Sequence, residues 1–255
     1  MDYDAEYFSR RAAQWPLFWK RFGFDSPPDL TGKRVFDFGC GHGAFVIAAA
    51  EAGAHAVGID LDKSRAAIWA ETQSNLAPSI AERVSFVCGD IADLIADPFD
   101  IVIATETFEH VTQLANVLGH LHRITKPGGR MYACWGDLWY SPTGGHGPLA
   151  RLVGRTLIPY GHLLFTHQLL VRYGHKYRLP TPESMRAVGY SGLSPYDYER
   201  TFQASRFQID SWRTNVGEHP LYKLLRFPAA VPVVSRFFTM NIYAVAIRPL
   251  SVASP

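Results

Sequence analysis

Three glycines and one carboxylate stand close together in the stretch VFDFGCGHGAF, residues 35–45. Gly39, Gly41 and Gly43 alternate with other residues directly after an apolar run, and Asp37 precedes the first of them by two positions. A glycine turn lets a ligand approach the backbone, because no β-carbon holds the ligand away. An acidic residue beside such a turn repels a diphosphate and attracts a cation. The stretch therefore predicts a turn that binds a cationic ligand.

A dinucleotide site is the alternative interpretation of the same turn. Gly39, Gly41 and Ala44 satisfy the G-x-G-x-x-G/A fingerprint of dinucleotide-binding proteins. In such a site the pyrophosphate lies against the turn and the helix that follows it, where the charge of Asp37 would oppose it. The fingerprint alone keeps a nicotinamide-dependent oxidoreductase open, and Asp37 argues against it.

Two further acidic residues follow apolar runs and could hold the remainder of a nucleoside. Asp60 ends the second run, where its two oxygens can accept hydrogen bonds from both ribose hydroxyls. Asp90 follows the third run and could meet an adenine amine, while Ile91 packs on the ring. These residues fit any ligand that contains adenosine. The charge of Asp37 indicates that the rest of this ligand is cationic.

The elements that must position these residues are strands and helices in alternation, which is typical of a parallel sheet covered on both faces. Strands are predicted at residues 34–39, 55–60, 83–90, 99–105, 129–135, 207–213 and 241–249. A helix that ends at Gly53, one stopped by Pro127 and one capped by Ser194 fill the gaps. The carboxyl ends of parallel strands share one edge, so the acidic residues and the glycine turn should meet there.

Five segments resemble a known family in chain order. VFDFGCGHG, GIDLD, CGDIAD, PFDIVIATETFEHV and LHRITKPGGRMYACW look like the successive motifs of class I S-adenosylmethionine-dependent methyltransferases, especially the group that includes ubiquinone-biosynthesis O-methyltransferases. The resemblance is strong over residues 33–135. It implies a Rossmann-like α/β fold, a doubly wound seven-stranded sheet whose last strand runs antiparallel between the fifth and sixth, and S-adenosylmethionine as cofactor. The cofactor contacts that it implies are Asp37, Gly39, Cys40, Gly41, Gly43, Asp60, Leu61, Asp90, Ile91, Thr105 and Glu106.

The stretch ETFEH, residues 106–110, is a candidate for catalysis. The i, i+3, i+4 spacing of Glu106, Glu109 and His110 predicts that all three lie on one face of a helical turn. The pattern resembles the metal-binding motif of ubiquinone-pathway O-methyltransferases and of small-RNA terminal 2′-O-methyltransferases, which implies a divalent metal with His146 as the fourth ligand. His162, His167 and His175 are alternatives to His146. Without a metal, His110 or His146 would act as a general base, with Glu109 paired locally.

The chain is predicted to be one domain over residues 1–255, with a helical cap, a cofactor-binding core, a lid insertion and the remaining strands. These parts are residues 1–30, 31–135, 136–193 and 194–255. An insertion at the carboxyl end of a strand usually shapes a substrate pocket. The leucine-rich stretch at 155–178, flanked by Arg and His, suits a lid over an apolar acceptor or a helix near lipid.

Composition limits the class of partner. Lys and Arg total 25 against 23 Asp and Glu, so no overall positive field favours a long nucleic acid. The sequence holds no apolar run long enough to span a membrane, and its three cysteines, which lack paired spacing, read as buried thiols in a reducing compartment. A cytoplasmic location is predicted, and the oligomeric state is left open.

Together these observations predict an enzyme of small-molecule or secondary metabolism that methylates a small apolar or aromatic acceptor, on oxygen in the first instance. One alternative keeps the cofactor and changes the chemistry, by intramolecular cyclisation or another alkyl transfer that releases methylthioadenosine. A binding module without turnover and an NAD(P)-dependent oxidoreductase are the others.

Overall fold

The computed structural model of the protein describes residues 9–144, 159–217 and 220–250. Its strands are β1 (Arg34–Phe38), β2 (His55–Asp60), β3 (Val84–Cys88), β4 (Phe99–Thr105), β5 (Thr125–Gly136), β6 (Gln208–Thr214) and β7 (Asn241–Ile247). Its α-helices are α1 (Trp15–Arg21), α2 (Ala44–Glu51), α3 (Arg65–Ser74), α4 (Pro78–Ala81), α5 (Leu114–Ile124), α6 (Gly161–Leu164), α7 (Thr166–Tyr177), α8 (Pro195–Ala204), α9 (Pro220–Ala229) and α10 (Ser235–Phe238). Short 3₁₀ turns lie at Ile91–Asp93, Phe108–His110 and Met185–Val188.

The seven strands form one sheet in the order β3-β2-β1-β4-β5-β7-β6. Strands β1 to β5 are parallel, and β7 runs antiparallel to both β5 and β6. The strand order reverses between β1 and β4, which is the switch point where ligands bind in open α/β sheets. The predicted fold is therefore confirmed, including the placement of the last strand.

Strand bounds agree with the sequence prediction to within two residues, except at the start of β5. The prediction began this strand at residue 129, because Pro127 and two glycines indicate a turn. In the structure Thr125 already pairs with Phe99, and a register shift between Phe99 and Ile101 accommodates the irregular residues that follow. Tertiary pairing overrides the local turn signal here.

Apolar residues cover both faces of the sheet, which explains why the central strands are almost uninterrupted hydrophobic runs. On one face α5 and α8 pack on the sheet around Trp135, whose ring stacks on that of Phe202. On the other face α1 and α2 pack around Trp19 and Phe45. The two cores hold the carboxyl edge of the parallel strands rigid.

The N-terminal segment packs on the second of these cores. Residues 9–12 are helical, and α1 follows with Pro16 in its first turn. The helical cap predicted for residues 1–30 consists, in its described part, of two helices, because proline starts a helix more readily than it continues one. Trp19 is fully buried, and its ring meets that of Tyr132 at 5.1 Å between centroids. This packing fixes α1 beside the edge of the sheet that carries the glycine turn.

The insertion after β5 contains α6, α7 and a 3₁₀ turn in its described part. Leu169 and Leu170 of α7 pack with Trp139 and Tyr190 in a small separate core. None of the helices in the described ranges is long and apolar enough to cross a bilayer.

The cysteines only partly match the prediction that all three are buried. Cys40 and Cys134 are buried, whereas Cys88 is exposed. The reason is topological, because Cys88 ends β3 and β3 is an edge strand of the sheet.

Candidate active site

A cavity of about 580 Å³ lies at the carboxyl ends of β1, β2 and β4. Because these strands are parallel neighbours, the residues that follow them converge at one edge. Seven residues selected from the sequence line this cavity: Gly39, Asp60, Leu61, Asp90, Ile91, Glu106 and His110. The other selected residues lie beside it or, for His146, outside the described residues.

The glycine turn is shaped by backbone conformations and by close neighbours. Gly39 and Gly43 have positive φ angles of 73° and 83°. A β-carbon at Gly39 would overlap the Thr107 side chain, and one at Gly43 would overlap the Phe86 ring. Gly39 is therefore needed for the turn itself. It is also needed for the close contact with Thr107, which holds the loop after β4 against β1.

Asp60 is held in one orientation by the backbone. One of its carboxylate oxygens accepts from the Gly41 N–H and the other from the Asp62 N–H, each at 2.9 Å. The sequence predicts that both oxygens accept from ribose hydroxyls. Each oxygen instead uses one lone pair on the backbone and keeps a second for a ligand, since a carboxylate oxygen can accept two hydrogen bonds.

The side of the cavity that is predicted to hold adenine is built by the turn after β3. Asp90 accepts from the Ala92 N–H at 2.9 Å and so caps the 3₁₀ turn at Ile91–Asp93. Ile91 is 3% exposed, while Leu61 across the cavity is 70% exposed. Leu61 and Ile91 thus give this part of the cavity apolar side chains that a flat ring could contact.

Asp37 lies under the glycine turn and is 3% exposed. Its Oδ1 has no hydrogen-bond partner among the described residues. Burial raises the pKa of Asp37 to about 7, against the opposing charge of Arg11 and with the help of Asp60. A buried carboxyl oxygen without a partner is costly, so this position is suited to a ligand that brings a cation or a donor.

Arg11 is the basic group next to Asp37, and the sequence analysis did not select it. Its guanidinium donates to Thr105 Oγ1 at 2.5 Å and lies 5.3 Å above the Phe45 ring. Two small recesses adjoin Arg11, one shared with Asp37 and Cys40 and one shared with Thr105 and Glu106. Arg11 lies 94 residues from Thr105 in sequence, so the chain offered no local signal for this contact.

An acidic cluster, consisting of the buried Glu109, the half-buried Asp137 and the cavity-lining Glu106, lies where β4 and β5 end. Burial raises the pKa of Glu106 to about 7, opposed by Arg11 and reinforced by Asp137. Burial also raises the pKa of Glu109 well above its usual value, and the neighbouring Glu106 adds to the effect. The pKa of Asp137 is likewise raised by burial. Carboxyls so placed favour the protonated form or a cation between them.

The structure corrects the prediction that Glu106, Glu109 and His110 share one helical face. Glu106 has a positive φ of 54°, and a single 3₁₀ turn follows at Phe108–His110. Glu109 is buried and its Oε1 accepts from the Gly136 N–H at 3.4 Å, while His110 faces the cavity. Glu109 thus turns away from the cavity that Glu106 and His110 line, because β4 ends in a left-handed residue and no α-helix starts there.

The described part of the chain offers no metal site beside these residues. In residues 9–144, 159–217 and 220–250, no group of three or more His, Cys, Asp or Glu side chains is arranged to hold a metal ion. Among the alternative histidines, His162 is buried and bonds to the Trp139 carbonyl at 2.6 Å, whereas His167 and His175 are exposed on α7. The predicted metal is thus unsupported.

His110 has a defined tautomer when neutral. Its Nδ1 lies 2.7 Å from the Gly189 carbonyl oxygen, which can only accept, so Nδ1 carries the hydrogen. The neutral ring then has its lone pair on Nε2. The turn that carries His110 is itself anchored, because the Tyr198 hydroxyl donates to the Phe108 carbonyl at 3.1 Å. His110 is therefore a positioned group at the wall of the cavity.

Comparison with known proteins identifies the core of the chain. Residues 36–133, from β1 into β5, match the family described as "Methyltransferase domain". Residues 36–133 are thus similar to a methyltransferase domain. The matched residues contain the glycine turn, Asp60, Asp90 and the ETFEH stretch, so the cavity lies within the matched region. The strand order and the antiparallel β7 are those that the resemblance to class I methyltransferases implied.

Curated relatives match the same region. The ubiquinone biosynthesis O-methyltransferase of Pseudomonas syringae pv. tomato is 34% identical over 108 residues, which is 42% of this chain and 46% of that protein. The protein of the same name from Hahella chejuensis is 33% identical over 108 residues, again 42% of this chain and 45% of the relative. The chain thus matches less than half the length of these relatives.

Solved structures share the fold over nearly the whole chain. A putative S-adenosylmethionine-dependent methyltransferase from Listeria monocytogenes has a TM-score of 0.54 at 18% identity, covering 93% of this chain and 98% of its own. The [4+2]-cyclase SpnF has a TM-score of 0.58 at 16% identity, covering 94% of this chain and 81% of its own. At these identities the likeness concerns the fold alone.

Proposed function

We propose that the protein is an S-adenosylmethionine-dependent methyltransferase that acts on a small apolar or aromatic acceptor and methylates an oxygen atom of it. The observation that carries this proposal is Asp37, whose buried Oδ1 lacks a partner directly beneath the glycine turn. A cationic amino group would satisfy that oxygen, whereas a diphosphate at the same place would be repelled. The names of the curated relatives support the choice of oxygen as acceptor atom.

The residues around the cavity fit each part of this cofactor. Asp37 would take the amino group and the guanidinium of Arg11 the carboxylate, since these two groups lie next to each other. Asp60 has its remaining lone pairs for ribose, and Asp90 and Ile91 would hold the adenine. When bound, the cofactor supplies an electrophilic methyl group on a positively charged sulfur. Cys40, Gly41, Gly43 and Thr105 would support the site from behind the cavity wall.

The protein's own task in such a reaction is alignment and proton removal. Methyl transfer is an in-line displacement, so holding the acceptor oxygen against the methyl group supplies most of the rate. We assign the proton-accepting role to His110, because it faces the cavity and its neutral form has the lone pair on Nε2. Glu109 does not line the cavity and would position the turn, while the role predicted for His146 stays a prediction.

The acceptor would enter between the ETFEH turn and the insertion after β5. Val111 and Val117 give this side of the cavity an apolar lining. The domain division drawn from the sequence fits this arrangement, with residues 136–193 as the part that covers the acceptor. A cytoplasmic location belongs to the same proposal.

The test combines ligand binding with product analysis. Calorimetric titration should show binding of S-adenosylhomocysteine and none of NAD⁺. Incubation with methyl-deuterated S-adenosylmethionine and a panel of phenols and carboxylic acids should give S-adenosylhomocysteine together with a deuterated methyl ether or ester, identified by mass spectrometry. Binding of NAD⁺ alone would refute the cofactor assignment. Release of methylthioadenosine would refute methyl transfer and favour another use of the sulfonium.

A further inference from the structure

Two segments of the chain contain basic residues and no acidic ones. No Asp or Glu occurs between Asp137 and Glu183, and none occurs from residue 219 to the end of the given sequence. The acids of the protein are all elsewhere, although the totals of acidic and basic residues are nearly equal. Each of the two segments therefore has a net positive charge, which the nearly equal totals of the whole sequence do not reveal.

The same two segments expose large apolar side chains. In the first, Leu164 and Phe165 are 71% and 50% exposed. In the second, Leu224, Phe227 and Val233 are 72%, 82% and 83% exposed. Single exposed apolar residues are ordinary on a protein surface, but a concentration of them indicates contact with another apolar phase.

The two segments meet in the fold. The Tyr160 hydroxyl at the start of α6 donates to the Phe237 carbonyl of α10 at 2.8 Å. The Tyr140 ring packs against Phe237, and the Arg236 guanidinium lies 5.6 Å above the Tyr140 ring. Leu164 ends the short helix α6, which begins directly after Tyr160, and Val233 shortly precedes Arg236 and Phe237. We call the adjoining exposed residues the apolar–basic surface: Leu164, Phe165, Lys223, Leu224, Arg226, Phe227, Val231, Val233 and Arg236.

The apolar–basic surface borders the candidate active site through α9. Tyr222, on the inner side of this helix, has its pKa raised by burial and by the charges of Asp137 and Glu106. Two residues further along the helix, Leu224 is largely exposed. One helix thus separates the acidic cluster from the apolar–basic surface.

We propose that the apolar–basic surface lies on a lipid bilayer that contains anionic lipids. Leucine, valine and phenylalanine side chains enter the acyl boundary, while Lys and Arg remain at the level of the negatively charged headgroups. A second copy of this chain is a poorer partner, because it would bring basic residues against basic residues. The arrangement would also place the acid-lined end of the site next to the membrane, where an apolar acceptor dissolves.

Vesicle sedimentation tests the proposal without any measurement of activity. The protein should sediment with phosphatidylcholine vesicles that contain phosphatidylglycerol and much less with pure phosphatidylcholine. The double variant Leu224→Ser/Phe227→Ser should bind about tenfold more weakly, because two apolar side chains leave the acyl boundary. Lys223→Glu should weaken binding to the anionic vesicles, and added salt should do the same for the unmodified chain.

Ile95→Ser is the matched control, since Ile95 is 98% exposed and lies outside both basic segments. This variant should bind vesicles as the unmodified chain does, and circular dichroism should show all variants folded. Absence of binding to either vesicle, or an equal loss in Ile95→Ser, would overturn the proposal. A dimer in sedimentation equilibrium that Leu224→Ser/Phe227→Ser converts to monomer would assign the surface to self-association and overturn it too.

Discussion

At the scale of single residues, the charge of the candidate site is governed by carboxyl groups whose pKa values the fold raises. Asp37 and Glu106 both have pKa values raised to about 7 by burial, and Arg11 opposes the shift in each case. Groups with such values change charge in the range where enzymes work. The charge of the cofactor site should therefore depend on pH between about 6 and 8.

Cofactor affinity should rise with pH because Asp37 must be ionised to bind an ammonium group. With the free pKa of Asp37 at about 7, the carboxyl is protonated below that value and the affinity for S-adenosylhomocysteine should fall by about tenfold per pH unit there. The ligand's own amino group stays protonated to about pH 8. Calorimetric titrations at intervals from pH 5.5 to pH 7.5, roughly the window set by these pKa values, would measure the slope.

Asp37→Asn should flatten this slope and weaken binding at the upper end of the range by about 10- to 100-fold, the value of a lost charge-assisted hydrogen bond. Methylthioadenosine, which lacks the amino acid part, serves as the control ligand and should bind both proteins equally. A slope that persists unchanged in Asp37→Asn would contradict the role given to this residue.

At the scale of elements, α8 holds the ETFEH turn in place. Ser194 accepts from the Asp197 N–H at 3.2 Å, and the Asp197 carboxylate accepts from the Ser194 N–H at 2.9 Å, which completes a capping box. The helix then presents Tyr198 to the Phe108 carbonyl and Phe202 to the Trp135 ring. A helix capped at one end thus fixes the turn on which His110 stands.

Ser194→Ala should destabilise the protein by about 1 kcal/mol, because one orphan N–H at the start of α8 loses its acceptor. For a chain of this size the melting temperature should fall by roughly 2–4 °C. Ser194→Thr keeps a hydroxyl acceptor and should melt close to the unmodified protein. Equal melting of the Ala and Thr variants in differential scanning calorimetry would show that the cap contributes nothing.

Elements could be predicted from the sequence where local chemistry and tertiary structure agree. The apolar runs of the central strands β1 and β4 are largely buried, and Ser194 with Pro195 marks the start of α8. The ETFEH stretch could not be predicted, because the left-handed Glu106 and the short turn after it depend on contacts with β5. Arg11 was missed for the same reason, since only the folded chain brings it to Thr105.

At the scale of the whole molecule, the buried carboxyl group of Glu109 makes stability depend on pH. Glu109 is 3% exposed, and its Oε2 has no hydrogen-bond partner among the described residues. Its pKa is raised well above the usual 4.5 in the folded state. Below the pKa that Glu109 has in the unfolded chain, its carboxyl is protonated in both the folded and the unfolded state, so the free energy of unfolding does not change with pH there. Above that pKa the unfolded chain releases the proton first, so the free energy of unfolding falls as pH rises.

Glu109→Gln should therefore raise the free energy of unfolding at pH 8, by on the order of 1–3 kcal/mol, and change it little at pH 5, near the ordinary pKa of glutamate. Urea unfolding at the two pH values would measure the difference. Glu51→Gln, at an exposed position on α2, is the matched control and should shift neither curve. A gain for Glu109→Gln of the same size at both pH values would point to packing and contradict the titration argument.

The position of β7 sets the order in which the chain can assemble. This strand comes after β6 in sequence, yet β7 separates β6 from β5 and is the neighbour through which β6 joins the sheet. During synthesis, residues 34–136 can associate as soon as they leave the ribosome, whereas β6 must wait, unpaired, for residues 241–247 to emerge. The nascent protein thus passes through a stage in which one edge of β5 is unpaired. We expect chaperones to bind the chain most at this stage.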